Sequence, residues 1–242
     1  MNSGARIRAD GRNEGAARRR GMIRRLLPGL GVLVAGAALT LYAAGGVSAQ
    51  TWQLRQSPAG CVPGQGVPNG KQWQAEPPLT IDTTTDYTAA LETNCGTILI
   101  ALDAARAPRT VNSFAFLASE QYFDQTRCHR LTTEGIHVLQ CGDPTATGTG
   151  GPGYRFPDEN LVGATYPAGT LAMANSGPNT NGSQFFLVYR DAPLPPNYTP
   201  FGRVTAGMDV IDRIAAAGVR DGSGDGSPLD DVVLTRVSAT RG

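Results

Sequence analysis

Apolar and polar positions alternate from Tyr87 to Asn94 and again from Thr97 to Asp103, on either side of Cys95-Gly96. Period-two alternation across so short a break predicts a hairpin with a tight turn. The period changes at Pro108. Val111, Phe114, Leu117 and Ala118 recur at helical spacing, and proline suits a first helical position, so a helix opens there. Further strands are predicted at about 127–131, 136–142, 171–175, 184–189, 201–204 and 232–237. A second helix runs over about 208–216 with Val210, Ile211 and Ile214 turned inward, and 143–169 is a long Gly-rich excursion. Eight strands with two separated helices predict a mainly β fold, a closed eight-stranded antiparallel barrel capped by two α-helices.

The pattern divides the remaining chain. Residues 1–25 form a basic N-terminal region and 26–49 an apolar stretch ending in small residues. Residues 50–85 are a Pro/Gly-rich linker arm with little periodicity, and 86–240 form the folded domain. Basic residues followed by an apolar run read as export, in one of two versions. Either a secretory signal is cut after Ala49, or an uncut single span anchors the domain outside the membrane with its arginines in the cytoplasm. Both make the domain extracytoplasmic, secreted or cell-membrane anchored. Trp52 and Trp73 both fall in the arm, and the pattern does not say whether they dock it.

Charge matters once it is partitioned. Eight arginines lie in residues 1–25, so the formal net charge of +1 leaves the body with 13 basic and 18 acidic side chains, about −5. Nucleic-acid binding rests on neutralising phosphates with Lys and Arg, so that function class is set aside.

Four cysteines, Cys61, Cys95, Cys128 and Cys141, in a chain bound for an oxidising space predict disulfide bonding with the connectivity open. Strand alternation puts Cys128 on the face of Arg130 and Cys141 on the face opposite Gln140, which disfavours the neighbouring pair unless a bulge intervenes. Cys128, His129, His137 and Cys141 are also zinc-ligand types, but the alternating faces and spacings fit no common finger or ribbon. No metal or other cofactor is expected.

The densest signal is the run from Met173 to Phe186, in which an apolar strand end, the turn-rich Gly177-Pro178-Asn179-Thr180-Asn181-Gly182 and an aromatic strand follow without interruption. It resembles the signature of the cyclophilin-type peptidyl-prolyl isomerases, in a bacterial, exported or membrane-anchored form. The resemblance covers Tyr87 to Val237 and implies the same capped-barrel architecture. It further implies an isomerase of X-Pro bonds in exported or cell-surface proteins, acting as a monomer on proline-containing polypeptides. The alternative is a proline-peptide binding module of the same fold with little turnover.

Carried over residue by residue, the resemblance makes Arg130 the catalytic arginine and Gln140 the substrate-orienting amide. Asn175, flanked by Ala174 and Ser176, matches the residue whose main chain grips the peptide. Phe186, Leu194, Val138 and Tyr198 match the proline socket. His137 stands where the family usually has a socket phenylalanine, and an imidazole is smaller and polar. Thr132-Thr133-Glu134-Gly135 makes the link between the two active-site strands longer than usual, and Pro193 stands where many members carry a tryptophan. His129 is read as a buried, hydrogen-bonded core histidine, and Phe185 and Phe201 as core aromatics.

Overall fold

The computed structural model describes residues 59–242. The basic region, the apolar segment with both leader readings, and Trp52 lie outside the described residues. Among the described residues no helix is long and apolar enough to cross a membrane.

The first strands are β1 (Tyr87–Thr93) and β2 (Gly96–Leu102), followed by helix α1 (Pro108–Ser119). Next come β3 (Thr126–Arg127), β4 (Arg130–Thr132), β5 (Val138–Cys141), β6 (Thr170–Met173), β7 (Phe185–Val188) and β8 (Pro200–Ala206). The chain ends with α2 (Met208–Ala217), β9 (Asp225–Gly226) and β10 (Val233–Arg241). All strands pair antiparallel in one curled sheet in the order β3-β10-β1-β2-β8-β6-β7-β5-β4-β9.

This differs from the eight-stranded closed barrel. The strand expected over 127–131 is broken at Cys128-His129 into β3 and β4, and β9 is an addition, giving ten. No ladder joins the two ends of the sheet among the described residues. The β3 end is tied to the β5-β4 side by the two-residue step from β3 to β4 and an isolated bridge between Arg127 and Asp143.

The helices form where periodicity placed them. Helix α1 has Pro108 in its first turn and buries Val111, Phe114, Leu117 and Ala118. Its own sequence supplies no side-chain N-cap, and Glu159 takes that role from a distant loop. The Glu159 carboxylate accepts hydrogen bonds from the Arg109 and Thr110 amides and from the Thr110 hydroxyl at 2.7–3.1 Å. An anion there answers the orphan amides and the positive end of the helix dipole. Helix α2 buries Val210, Ile211 and Ile214. It starts where Gly207, at φ 87°, lets the turn press against Thr97, whose carbonyl a Cβ would meet at 2.3 Å.

Strands β5, β6 and β7 bury side chains on both faces, as strands covered on both sides do, with Gln140 the one partly exposed position among them. One face, with Leu139, Leu171, Phe185 and Leu187, enters the main core, where Phe114, Phe123, Phe185 and Phe201 stack at centroid distances of 5.1–5.7 Å. The opposite face, with Val138, Ala172, Phe186 and Val188, enters a smaller cluster roofed by Tyr166 and Ala192.

The arm docks on the domain over its described length. Cys61 is disulfide-bonded to Cys95, and the Asn94 side chain binds the Val62 carbonyl. Trp73 meets Phe116 edge-on, Asn112 holds the carbonyls of Pro77 and Pro78, and Asp82 pairs with Arg241.

The second disulfide is Cys128–Cys141, the pair that strand alternation disfavoured. Alternation fails there because Cys128 and His129 belong to no strand, so the face count restarts at Arg130. With both cysteines in a disulfide, the zinc set loses two of its ligands. His129 also departs from expectation: both ring nitrogens are buried, yet neither has a hydrogen-bond partner. Desolvation pushes its pKa below the usual histidine value, against the pull of Asp143.

Candidate active site

Register builds the site. Arg130 on β4 lies opposite Gln140 on β5, Gln140 opposite Phe186 on β7, and Phe186 opposite Ala172 on β6. Four adjacent strands thus lay a cation, an amide, an aromatic ring and a methyl group in one row across the outer face.

Each polar member is held. The Asp225 carboxylate on β9 accepts two hydrogen bonds from Arg130, from Nε and Nη2, both at 2.7 Å. Arg130 Nη1 points to Gln140 Oε1 at 3.3 Å. Hydrogen bonding to Asp225 raises the arginine pKa, and the same bond lowers that of Asp225. Both groups are substantially exposed, so the pair is worth only ~0–1 kcal/mol of stability. Its effect is geometric: a planar fork clamped on one edge presents its remaining N–H donors in a fixed direction. Gln140 donates from Nε2 to Gln184 Oε1 at 2.8 Å, and Gln184 Nε2 donates to the Gly148 and Gly150 carbonyls. That chain fixes which way the Gln140 amide faces and leaves one of its two N–H donors for another partner.

The apolar cup lies beside the row. Phe186 meets Tyr198 edge-on at 5.5 Å and Tyr166 at 6.4 Å, with Val138 and Val188 beneath and Leu194 and Ala174 at the rim. The Tyr166 hydroxyl donates to the Tyr198 carbonyl at 2.8 Å and accepts from the Tyr198 amide at 3.0 Å. One phenol therefore pins the loop that carries Leu194 and Tyr198. The Asn175 side chain is spent internally: Nδ2 donates to the Asn197 carbonyl, and Oδ1 accepts from the Gly177 amide. Its main-chain N–H and C=O carry no hydrogen bond among the described residues.

His137 is placed differently from the expectation. Its ring packs edge-on against Tyr189 of the main core at 5.6 Å, and the apolar side chain that this stretch gives to the cup is Ile136. The longer link moves the start of β5 to Val138, so His137 precedes the strand. Asp225, Gln184, Tyr166 and Ile136 were not singled out from the sequence.

A groove of about 1020 Å³ continues from this row, lined by Gln140, Ala174, Asn175, Ser176 and Gln184 and bounded beyond them by the Gly148–Arg155 loop.

The family model for "Cyclophilin type peptidyl-prolyl cis-trans isomerase/CLD" matches residues 88–239. The chain belongs to the cyclophilin family. A "Probable peptidyl-prolyl cis-trans isomerase B" of Mycobacterium leprae is 51% identical over 160 residues, covering 60% of this chain and 54% of that protein. Its counterpart in Mycobacterium tuberculosis strain H37Rv is 50% identical over 162 residues, covering 61% and 53%. The chain thus spans about half the length of the curated relatives it matches. A cyclophilin type peptidyl-prolyl cis-trans isomerase crystal structure from Cryptosporidium parvum is 31% identical with TM-score 0.58, covering 64% of this chain and 98% of that one. The same parasite protein solved in the presence of the dipeptide ala-pro gives TM-score 0.57 at 31% identity, covering 63% and 98%. The cyclophilin match begins at Thr88, so the arm at 59–85 lies wholly outside it.

Proposed function

We propose that this cyclophilin is an extracytoplasmic peptidyl-prolyl cis-trans isomerase that accelerates X-Pro isomerisation as exported or cell-surface proteins fold. The observation that carries the reading is the row in which the clamped guanidinium of Arg130 and the oriented amide of Gln140 adjoin the Phe186 cup.

The reaction breaks no bond. Amide resonance imposes a barrier of about 20 kcal/mol, and a catalyst need only bind the twisted amide better than either planar isomer. In this reading the proline ring enters the cup of Phe186, Leu194, Val138, Ile136 and Tyr198. The main chain of Asn175 holds the residue before it, between Ala174 and Ser176. As the amide twists, the nitrogen lone pair localises and becomes a hydrogen-bond acceptor. Arg130 donates to it without any protonation step, and Gln140 orients the swinging carbonyl. Asp225 and Gln184 are positioning residues that keep both donors aimed before substrate arrives. No cofactor enters, and the substrate is a proline-containing polypeptide bound by a monomer.

Both described disulfides support an oxidising compartment, since such bonds are rare in cytosolic proteins. The apolar segment 26–49 supports export by a cut signal or an uncut anchor. Sequencing the mature N-terminus separates these: Gln50 as first residue means cleavage, and Arg6–Arg25 in a membrane fraction mean an anchor. A chain found reduced in the cytoplasm refutes the localisation. A protease-coupled assay of the full chain on an X-Pro peptide tests turnover. Acceleration over buffer is the expected result, and binding without acceleration favours the alternative of a proline-peptide binding module. That alternative drew on His137 in the socket, and the ring's position against Tyr189 weakens its support.

A further inference from the structure

We infer that the arm forms a wall of the substrate groove: residues 72–76 contact the extended polypeptide that flanks the proline on one side. This inference rests on the prolyl-isomerase reading and extends it to a segment outside the cyclophilin match. Three observations carry it. First, the groove is one space with the site. Gln140, Asn175 and Gln184 line it together with Gln72, Gln74 and Glu76. A chain seated at Asn175 and continuing extended at ~3.3–3.6 Å per residue runs along it.

Second, the arm is fastened where a wall needs to be firm. The Trp73 amide donates to the Pro152 carbonyl at 2.8 Å, and Gln72 Nε2 donates to the Gly151 carbonyl. Trp73 anchors on Phe116 and Tyr122, and Glu76 pairs with Arg109. The backbones approach so closely that a Cβ on Gly153, at φ 92°, would lie 2.5 Å from the Trp73 carbonyl oxygen. The loop fastened by the arm is the one whose Gly148 and Gly150 carbonyls hold Gln184, and through it Gln140.

Third, the wall has polar capacity to spare. Gln74 is exposed and its side-chain amide has no partner among the described residues, while Glu76 is neutralised by Arg109. An uncharged amide that can both donate and accept suits polypeptide main chain and small polar side chains more than a charged ligand.

The test compares two proline peptides on the full chain, one of about four residues and one of about twelve, the longer able to run the groove at its extended length. Amide shifts of Gln74 and Ala75 are followed by NMR, and kcat/KM is measured for both. The longer peptide is expected to shift Gln74 and Ala75 together with Phe186, and the shorter to shift only the Phe186 region. Gln74→Ala and Gly153→Ala are each expected to lower the long-to-short ratio of kcat/KM about threefold to tenfold, the scale of one or two peptide hydrogen bonds. Val67→Ser, on the arm and away from the groove, should leave that ratio unchanged. If the longer peptide shifts Phe186 and leaves Gln74 and Ala75 still, the wall is refuted while the isomerase reading stands. If no peptide is turned over yet the longer one shifts Gln74 and Ala75, the isomerase reading fails and the wall belongs to a binding module. Should Gly153→Ala fail to fold, Gln74→Ala and the shifts decide alone.

Discussion

Phe185 and Phe186 are neighbours on β7 with opposite surroundings. Phe185 meets Phe114 and Phe123 edge-on, both at 5.7 Å, inside a core that the chain completes by itself. Phe186 faces the other way, meets Tyr166 and Tyr198 as its aromatic neighbours among the described residues, and stands in register with Gln140, which in turn faces Arg130. The same strands therefore take rigidity from one face and present chemistry on the other. The inner face is filled by side chains, whereas the outer face is roofed by loops and left open at one edge, where the polar row begins. A site on strands locked from behind can hold its donors to fractions of an ångström.

Substitutions on the two faces should separate stability from activity. Phe185→Ala should cost ~3–5 kcal/mol in urea unfolding, the range for a deleted core aromatic. The fraction that remains folded should turn over normally. A small loss would mean that the inner face is not the scaffold. Arg130→Ala should do the reverse. Its kcat/KM should fall ~10²–10³-fold, as when an oriented donor is removed, with stability changed by no more than about 1 kcal/mol.

Asp225→Asn sharpens the contrast within the outer face. It keeps the shape but loosens the fork, so kcat/KM should fall about tenfold while unfolding moves by only ~0–1 kcal/mol, the worth of an exposed pair. The clamp's pH dependence has a definite sign. The Asp225 pKa is lowered by Arg130, so the clamp is intact above the ordinary Asp value of about 3.9 and is lost only as pH falls through the lower folded value. Activity that drops between pH 7 and 5 would therefore implicate a different group.

His129 carries a titration of its own. Burial lowers its pKa, so the unfolded chain takes up a proton first as pH falls below about 6.5, and stability declines from there. His129→Leu should flatten that acid slope of the unfolding midpoint and leave kcat/KM at pH 7 unchanged. The smallest effect is expected for His137→Phe, which should stay within about twofold of the parent because His137 rests on Tyr189 away from the cup. A gain of several-fold would return it to the proline socket.

What could be read in the sequence was what repeats. Alternation located the β5 and β7 positions, helical spacing located α1 and α2, and the Met173–Phe186 run led to Asn175 and Phe186. Arg130 and Gln140 then met in register. What escaped was set by breaks and by single long-range bonds. Asp225 sits on a two-residue strand inside Gly222-Ser223-Gly224-Asp225-Gly226-Ser227, too short to show a period. The Cys128–Cys141 bond was disfavoured because alternation was counted through Cys128-His129, where no strand exists. His137 was displaced by the longer link before β5. The arm has no apolar stripe to betray its docking, because polar contacts such as Asn94 to the Val62 carbonyl and Asn112 to the Pro77 and Pro78 carbonyls fasten much of it.

The most direct test is exchange NMR on an X-Pro peptide with the full chain, disulfides intact, comparing the parent with Arg130→Ala at equal concentration. The account predicts cis–trans exchange far faster than the uncatalysed timescale of about tens of seconds in the parent, and a variant that binds the peptide yet returns it close to that rate. An Arg130→Ala chain as fast as the parent would contradict it.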